Sequence, residues 1–367
     1  MHAGRRLTAG LAVATAVGIT LPAMGASAGI ARGSFRETDL VSDIQGRAQH
    51  FDPNLVNPWG ISASSSSPMW VSDNNAGVTT LYDGAGNAFP PPANGGPLVV
   101  KIPLPNGSDG GAPTGTVFNG THTDFEGAPF IFATEDGTIA AWEPGVDLHR
   151  AQIEVDNSVI PTAANGAVYK GLTIASNLAG QHLYATNFRA GSIDVFDRTF
   201  NQVTLNGSFT DPGIPTGFAP FNIQKLAGAL YVTYAMQKPD KHDDQSGEGF
   251  GFVDAYDLDG HLLGRVASGG TLNSPWGLAI APATFGNFHD NLLVGNFGDG
   301  RVNAFSLSTG AFRGQLKSET RAPIDIPGLW ALRFGTGGVG ASPNTLYFTA
   351  GINEEKDGLF GSIVSVD

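Results

Sequence analysis

The chain of 367 residues contains no cysteine. That absence excludes thiol nucleophiles, thiolate metal ligands and disulfide exchange. A chain exported without disulfides must be held by its core, and this length is ample for a large one. Positive charge is also scarce. Twenty Lys and Arg stand against 33 Asp and Glu, for a net charge of −13. Such a surface repels phosphate backbones, so nucleic acid is not an expected partner. It suits cations and neutral small-molecule or glycan ligands. Helical periodicity is missing throughout, and there is no G-x-S-x-G elbow. Gly-rich turns such as Gly295–Gly300 lead into strands rather than helices, so they are not phosphate loops.

Long hydrophobic runs are nearly absent too. The one stretch of this kind, Leu7 to Met24, follows Arg5 and Arg6 and precedes Ala26-Ser27-Ala28. This is the order of a secretory signal cleaved before Gly29. Thr8, Thr15, Thr20 and Pro22 interrupt it, whereas a membrane span needs about 20 predominantly apolar residues. The expected plan is a signal peptide over 1–28, a flexible N-terminus over 29–36 and a single domain over 37–367. The expected product is a secreted, extracellular monomer with no transmembrane segment after cleavage.

What the chain has in plenty is glycine, 51 residues, about twice the usual share of ~7%. It also repeats itself. NPWGI at 57–61, APTGT at 112–116, VYKGLTI at 168–174, APFNI at 219–223, SPWGLAI at 274–280 and GLWALRF at 328–334 are versions of one phrase. Aligned on Gly60, Gly115, Gly171, Asn222, Gly277 and Ala331, the steps are 55, 56, 51, 55 and 54 residues. Periods of this size mark repeat architectures. Each unit continues with a second short apolar run, a turn rich in Gly, Asn and Asp, and a third run alternating in polarity, as in Ile193-Asp194-Val195-Phe196-Asp197. A fourth run follows. Four strands in each of six units predict an all-β fold, a six-bladed β-propeller with four-stranded blades. Glu37–Asp43 is expected to complete the last blade. Seven blades are the alternative, with a degenerate unit in Phe89–Pro103 or the N-terminal region.

In a propeller the loops entering the first strand and those joining the second to the third share one face. A column just past the second strands reads Asp73, Glu135, Asn187, Tyr234, Asn296 and Ala350. Asp73, Glu135, Asn187 and Asn296 offer oxygen ligands for a divalent cation, Ca²⁺ or another, and the same residues also serve as ordinary turn formers. A column entering the first strands reads Trp59, Thr114, Lys170, Phe221, Trp276 and Trp330. Its tryptophans fit either a stacking platform for flat ligands or packing between blades. Lys170 needs an anionic partner, with Glu135 or Asp73 as candidates. Arg189 is a further ligand-binding candidate in the loops. The fourth unit swells between Tyr234 and Phe252 into a loop holding His242, Asp243 and Asp244. His242 is the best general acid–base candidate, with Asp243 or Asp244 to orient it and Lys170 as a catalytic cation. A solvated charged loop is the plainer reading.

The phrases NLVNPWGIS, FIFATEDGTIAAW, LYATNFRAGSIDVFD, LNSPWGLAIAP and LLVGNFGDGRVNAF resemble a family of secreted bacterial β-propeller proteins of unknown function. Some of its members carry a C-terminal protein-sorting tail, which Ser365-Val366-Asp367 does not provide. The resemblance runs from about Leu40 onward and implies fold and export rather than an activity. More distantly the chain is similar to NHL and gluconolactonase-like six-bladed propellers. The latter hold a divalent metal in the channel with Glu, Asn and Asp from separate blades. Two functions are therefore expected: a secreted binder of a carbohydrate or cell-envelope ligand on the loop face, or a metal-assisted hydrolase, lactonase or lyase at the channel. A protein-interaction scaffold is the third.

Overall fold

The computed structural model describes residues 33–366 together with Met1. The expected signal segment lies outside the described residues. The described chain forms six sheets with antiparallel blade strands, one of which also carries His50–Phe51 in parallel at its edge. Blade 1 runs through Pro58–Ser62, Met69–Asp73, Val78–Tyr82 and Val99–Lys101. Blade 2 comprises Pro113–Phe118, Phe130–Thr134, Thr138–Trp142 and Gln152–Asp156, and blade 3 Tyr169–Asn177, Gly180–Asn187, Ser192–Phe196 and Gln202–Val203. Blade 4 comprises Phe218–Leu226, Ala229–Met236, Phe252–Tyr256 and Leu262–Ser268. Blade 5 comprises Pro275–Ile280, Asn291–Asn296, Val302–Ser306 and Phe312–Gln315. Blade 6 opens with Leu329–Phe334, Leu346–Gly351 and Asp357–Ser365, and its fourth strand is N-terminal, Phe35–Ser42. This is the six-bladed propeller read from the repeat. Phe89–Pro103 holds the outer strand of blade 1, not a seventh unit.

Closure follows the expected route but starts earlier. Phe35 pairs with Ser365 and Ser42 with Leu359, so Phe35 and Arg36 belong to the strand. Burial explains the ring. In blade 2 every residue of Phe130–Thr134 and Thr138–Trp142 is buried, while the outer strand Gln152–Asp156 is partly exposed. A small sheet with two apolar faces gains from a neighbour on each side, and a closed ring gives each blade two.

The repeated phrase marks where the blades meet at the axis. All six inner strands carry a register shift at the phrase, for example between Pro58 and Ile61 and between Pro275 and Gly277. The bulge turns the backbone toward the next blade. A Cβ on Gly60 would sit 2.5 Å from the Thr114 carbonyl oxygen, and one on Gly115 2.4 Å from the Leu172 nitrogen. Hydrogen bonds cross the same junctions. Thr114 Oγ1 donates to the Tyr169 carbonyl at 3.0 Å and Thr186 Oγ1 to that of Phe221 at 3.3 Å. Asn222 Nδ2 donates to that of Trp276 at 2.7 Å, and Thr349 Oγ1 returns to that of Trp59. Asn222 and Ala331 stand where four blades have glycine, so the demand for a missing side chain differs between junctions.

Two outcomes follow. Gly60→Ala forces a methyl against backbone and should cost about 1–3 kcal/mol in chemical denaturation. Ala331→Gly at the equivalent position should cost only about 0.5–1 kcal/mol, the entropic penalty of glycine. In the closing strand, burial, then Asp39, pushes the Glu37 carboxyl up to about 7. A raised folded-state pKa favours folding below the unfolded value and loses that advantage as pH rises through about 7. Glu37→Gln should therefore stabilise the protein at pH 8 by about 1 kcal/mol, discounted for partial exposure, and leave pH 4 stability unchanged. Melting curves at the two pH values check this.

Candidate functional site

The inner strands leave three spaces stacked along the axis. At the loop face is a pocket of ≈ 270 Å³ lined by Trp59, Lys170, Asp243, Asp244, Phe297 and Glu355, among others. In the middle the channel narrows to ≈ 30 Å³ between Gly60, Gly115, Asn222 and Trp276. That is room for a water or two. At the far ends of the inner strands it widens again, to ≈ 470 Å³.

At this pocket an ion-pair cluster joins blades 2, 3 and 4. Lys170 enters the axis at the start of its inner strand and is 2% exposed. An ammonium so buried requires compensation. Its Nζ donates to Glu135 Oε1 from blade 2, lies 3.8 Å from Asp243 Oδ1 and stands 5.0 Å from the centre of the Trp59 ring. Of the two expected partners, Glu135 is the one in contact. Asn74 Nδ2 donates to the other Glu135 oxygen at 2.9 Å. The long fourth-unit loop folds back over this point. Lys238 N donates to the Asp243 carbonyl at 2.9 Å and Gln245 N to that of Met236 at 2.7 Å. The loop is thereby pinned as a hairpin. His242 Nδ1 lies 2.7 Å from Asp243 Oδ1 and 4.0 Å from Glu135 Oε1.

The electrostatics separate the carboxylates. The His242 hydrogen bond, aided by the Lys170 and Lys238 ammonium groups, holds the Asp243 carboxyl down at about 2. Burial raises Asp244 and Glu355 above the usual carboxylate range. The pocket therefore holds one firmly ionised acid beside two whose ionisation burial opposes. With Asp243 on Nδ1, His242 keeps Nε2 free to take or give a proton. Glu135, His242 and Asp243 also bring donor atoms within 4.8 Å of one another, a set that could hold a divalent cation. One nitrogen and two carboxylates suit a transition ion better than Ca²⁺, which favours six to eight oxygens. A metal there would compete with the Lys170 ammonium.

The four residues proposed from the turn column do not converge. Glu135 alone reaches the cluster. Asp73 is wholly buried inside blade 1 against Thr80, and burial pushes its carboxyl well up, so the neutral acid is favoured there. Asn187 Nδ2 donates to Asp194 Oδ2 at 3.0 Å, and Asn296 Nδ2 to Asp299 Oδ1 at 3.0 Å. Both tie their own turns, the plainer role open to them. The tryptophans pack on one another. Trp59 and Trp330 stack with centroids 3.5 Å apart, Trp276 stands edge-on to both, and all three are at most 4% exposed. Arg189 donates to the Gly166 carbonyl at 3.0 Å and does not line the pocket.

Three residues outside the expected site set complete it, of which Glu355 stands out in the sequence only as one of several polar loop residues. Phe297 stacks on Trp330 with centroids 4.0 Å apart and is the partly exposed ring of the cluster. Asn57 accepts from Trp330 Nε1 at 3.0 Å and donates to Glu355 Oε2 at 3.0 Å. Glu355 reaches the pocket from a single turn, Ile352–Glu355, in which Asn353, Glu354 and Glu355 have φ of 54°, 58° and 64°. The Asn-Phe pair at 187–188 and again at 296–297 was a signal for Phe297. Nothing local foretells three consecutive left-handed residues.

No family model matches the chain. Among solved structures it is similar to virginiamycin B lyase from Staphylococcus aureus, at a TM-score of 0.51 and 11% identity over 90% of this chain and 99% of that one. A glucose dehydrogenase gives a TM-score of 0.52 and 11% identity over 89% and 98%. At such identities the likeness shows the propeller fold alone. By sequence the chain is 33% identical to "Uncharacterized protein R648" of Acanthamoeba polyphaga mimivirus over 341 residues, 88% of this chain and 78% of that protein. It is 33% identical to "Uncharacterized protein L690" of the same virus over 343 residues, 89% and 84%. These relatives are viral and lend no support to the expected bacterial, secreted origin. With shared identity over most of both lengths, the chain belongs to the family of these uncharacterised mimivirus proteins.

Proposed function

We propose that this chain is an exported propeller that binds a small carbohydrate-like ligand in the loop-face pocket. The observation that supports this reading is the convergence of carboxylates, ammonium groups and an amide beside one accessible aromatic ring. A sugar presents hydroxyls at its edge and C–H groups on its faces. Its hydroxyls can donate to Asp243, Asp244 and Glu355 and accept from Lys238 and Gln245. Its apolar face fits the Phe297 ring. The volume of ≈ 270 Å³ sits near the lower end of the range for small-molecule sites, about 300–1,000 Å³. A single sugar ring or a chain end is therefore the expected size. The left-handed turn at Asn353–Glu355 supports a site as well. Each such residue costs about 1–2 kcal/mol, and strain of this kind gathers at functional positions.

A second reading, hydrolysis of an ester or lactone, is favoured by the Glu135, His242 and Asp243 triangle. A bound metal would polarise a carbonyl there. Without a metal, His242 Nε2 would instead take a proton from the attacking water, Asp243 would stabilise the imidazolium, and the Lys170 ammonium would face the developing oxyanion.

Calorimetry against a panel of neutral mono- and oligosaccharides, with and without added Mn²⁺ or Ca²⁺, tests both. The expected result is at least one binder whose affinity falls about tenfold or more in Phe297→Ala and in Asp244→Asn, with unfolding curves showing both variants folded. A panel without a binder, or a binder indifferent to both substitutions, would sink the carbohydrate reading. Turnover of a lactone panel that disappears in His242→Asn would replace it with the hydrolytic one.

A further inference from the structure

We infer that the opposite mouth of the channel is a second ligand site, one that takes an organic carboxylate with an apolar body. It lies beyond the constriction from the loop-face pocket and does not depend on what that pocket binds. The six inner strands carry three charged residues between them, all cationic: Lys170, Lys225 and Arg333. Lys170 stands at the loop end and is neutralised by Glu135. Lys225 and Arg333 stand at the far ends of blades 4 and 6, where both line the ≈ 470 Å³ space with Leu278, Ile280, Leu332 and Phe334. Among the described residues no carboxylate lines that space, although the chain has 33 acidic residues.

Arg333 is the unusual group. Its Nη2 donates to the Ala63 carbonyl at 3.1 Å, which fixes the side chain across the seam between blades 6 and 1. Its Nε is buried without a partner. Burial pushes the guanidinium down, and no carboxylate is close enough to hold it up. Arg265, also partly buried, is neutralised by both Asp254 and Asp211. A cation drawn this far from water lacks the anion that such groups normally have. A carboxylate supplies it, because its two oxygens match the planar fork of a guanidinium. The exposed Lys225 ammonium adds attraction without fixed geometry. The apolar side chains around the space ask for hydrocarbon rather than more charge, which separates an amphiphilic carboxylate from inorganic phosphate. The two mouths thus differ in sign: acids outnumber ammonium groups at the loop face, and cations stand alone at the other.

Calorimetry with octanoate, inorganic phosphate and octanol tests the assignment. Octanoate should bind, with phosphate and octanol each about tenfold weaker or worse, since each supplies half of the recognition. Arg333→Gln should weaken octanoate about tenfold or more, and Lys225→Gln by a smaller factor. Denaturation curves establish that both variants fold. Should Arg333→Gln fail to fold, Arg333→Lys keeps the charge, loses the fork and should still weaken octanoate. Absence of octanoate binding at millimolar concentration, phosphate binding as tightly as octanoate, or octanoate affinity unchanged in the Arg333 and Lys225 variants would each overturn the proposal.

Discussion

The close approach of six backbones around one axis governs the rest of this molecule. Gly60 leaves no room for a methyl group against the Thr114 carbonyl, and Gly115 none against the Leu172 nitrogen. At one of the two positions without glycine the substitute does bonding work, since Asn222 donates to the Trp276 carbonyl. Threonines tie blade 2 to 3, 3 to 4 and 6 to 1. These contacts set the channel width, and the width separates one end of the channel from the other. The hydrophobic faces of the blades supply most of the driving force. The axis decides how close the blades come.

That closeness has an electrostatic consequence. Inner-strand ends from different blades fall within bonding reach, so a side chain from one blade can be answered from another. Lys170 of blade 3 is met by Glu135 of blade 2 and approached by Asp243 of blade 4. Arg333 of blade 6 leans on the Ala63 carbonyl and is met by no acid. One mouth is rich in carboxylates whose ionisation is pulled both ways, and the other is cationic. A protein with a net charge of −13 has concentrated opposite signs at the two ends of one axis. The ≈ 30 Å³ constriction keeps them chemically separate.

How much of this could be read from the sequence differs with the residue. The repeated phrase spoke for the fold because it recurs with every blade, and glycine holds the aligned position in four of the six. The fourth-unit loop and Lys170 stood out because they break the repeat, and they meet in the pocket. The turn column misled because register places a residue at a strand end without saying which way its side chain goes. Asp73 turns into its blade and Asn296 into its own turn, while Glu135 alone faces the axis. The tryptophan column was ambiguous for a like reason, since packing and ligand stacking use the same rings. Phe297 lay one residue past the column, and Glu355 depends on a left-handed turn that no local pattern announces.

The central claim is that blades 2 and 3 meet at a buried ion pair that anchors the loop-face site. A double-mutant cycle on unfolding free energy with Glu135→Gln and Lys170→Met tests it most directly. Glu135→Gln alone should cost about 3 kcal/mol, because it strands a buried ammonium. The double variant should be more stable than that single one, with a coupling energy above about 1 kcal/mol. Additive effects of the two substitutions would mean that the side chains do not meet, and would contradict the account.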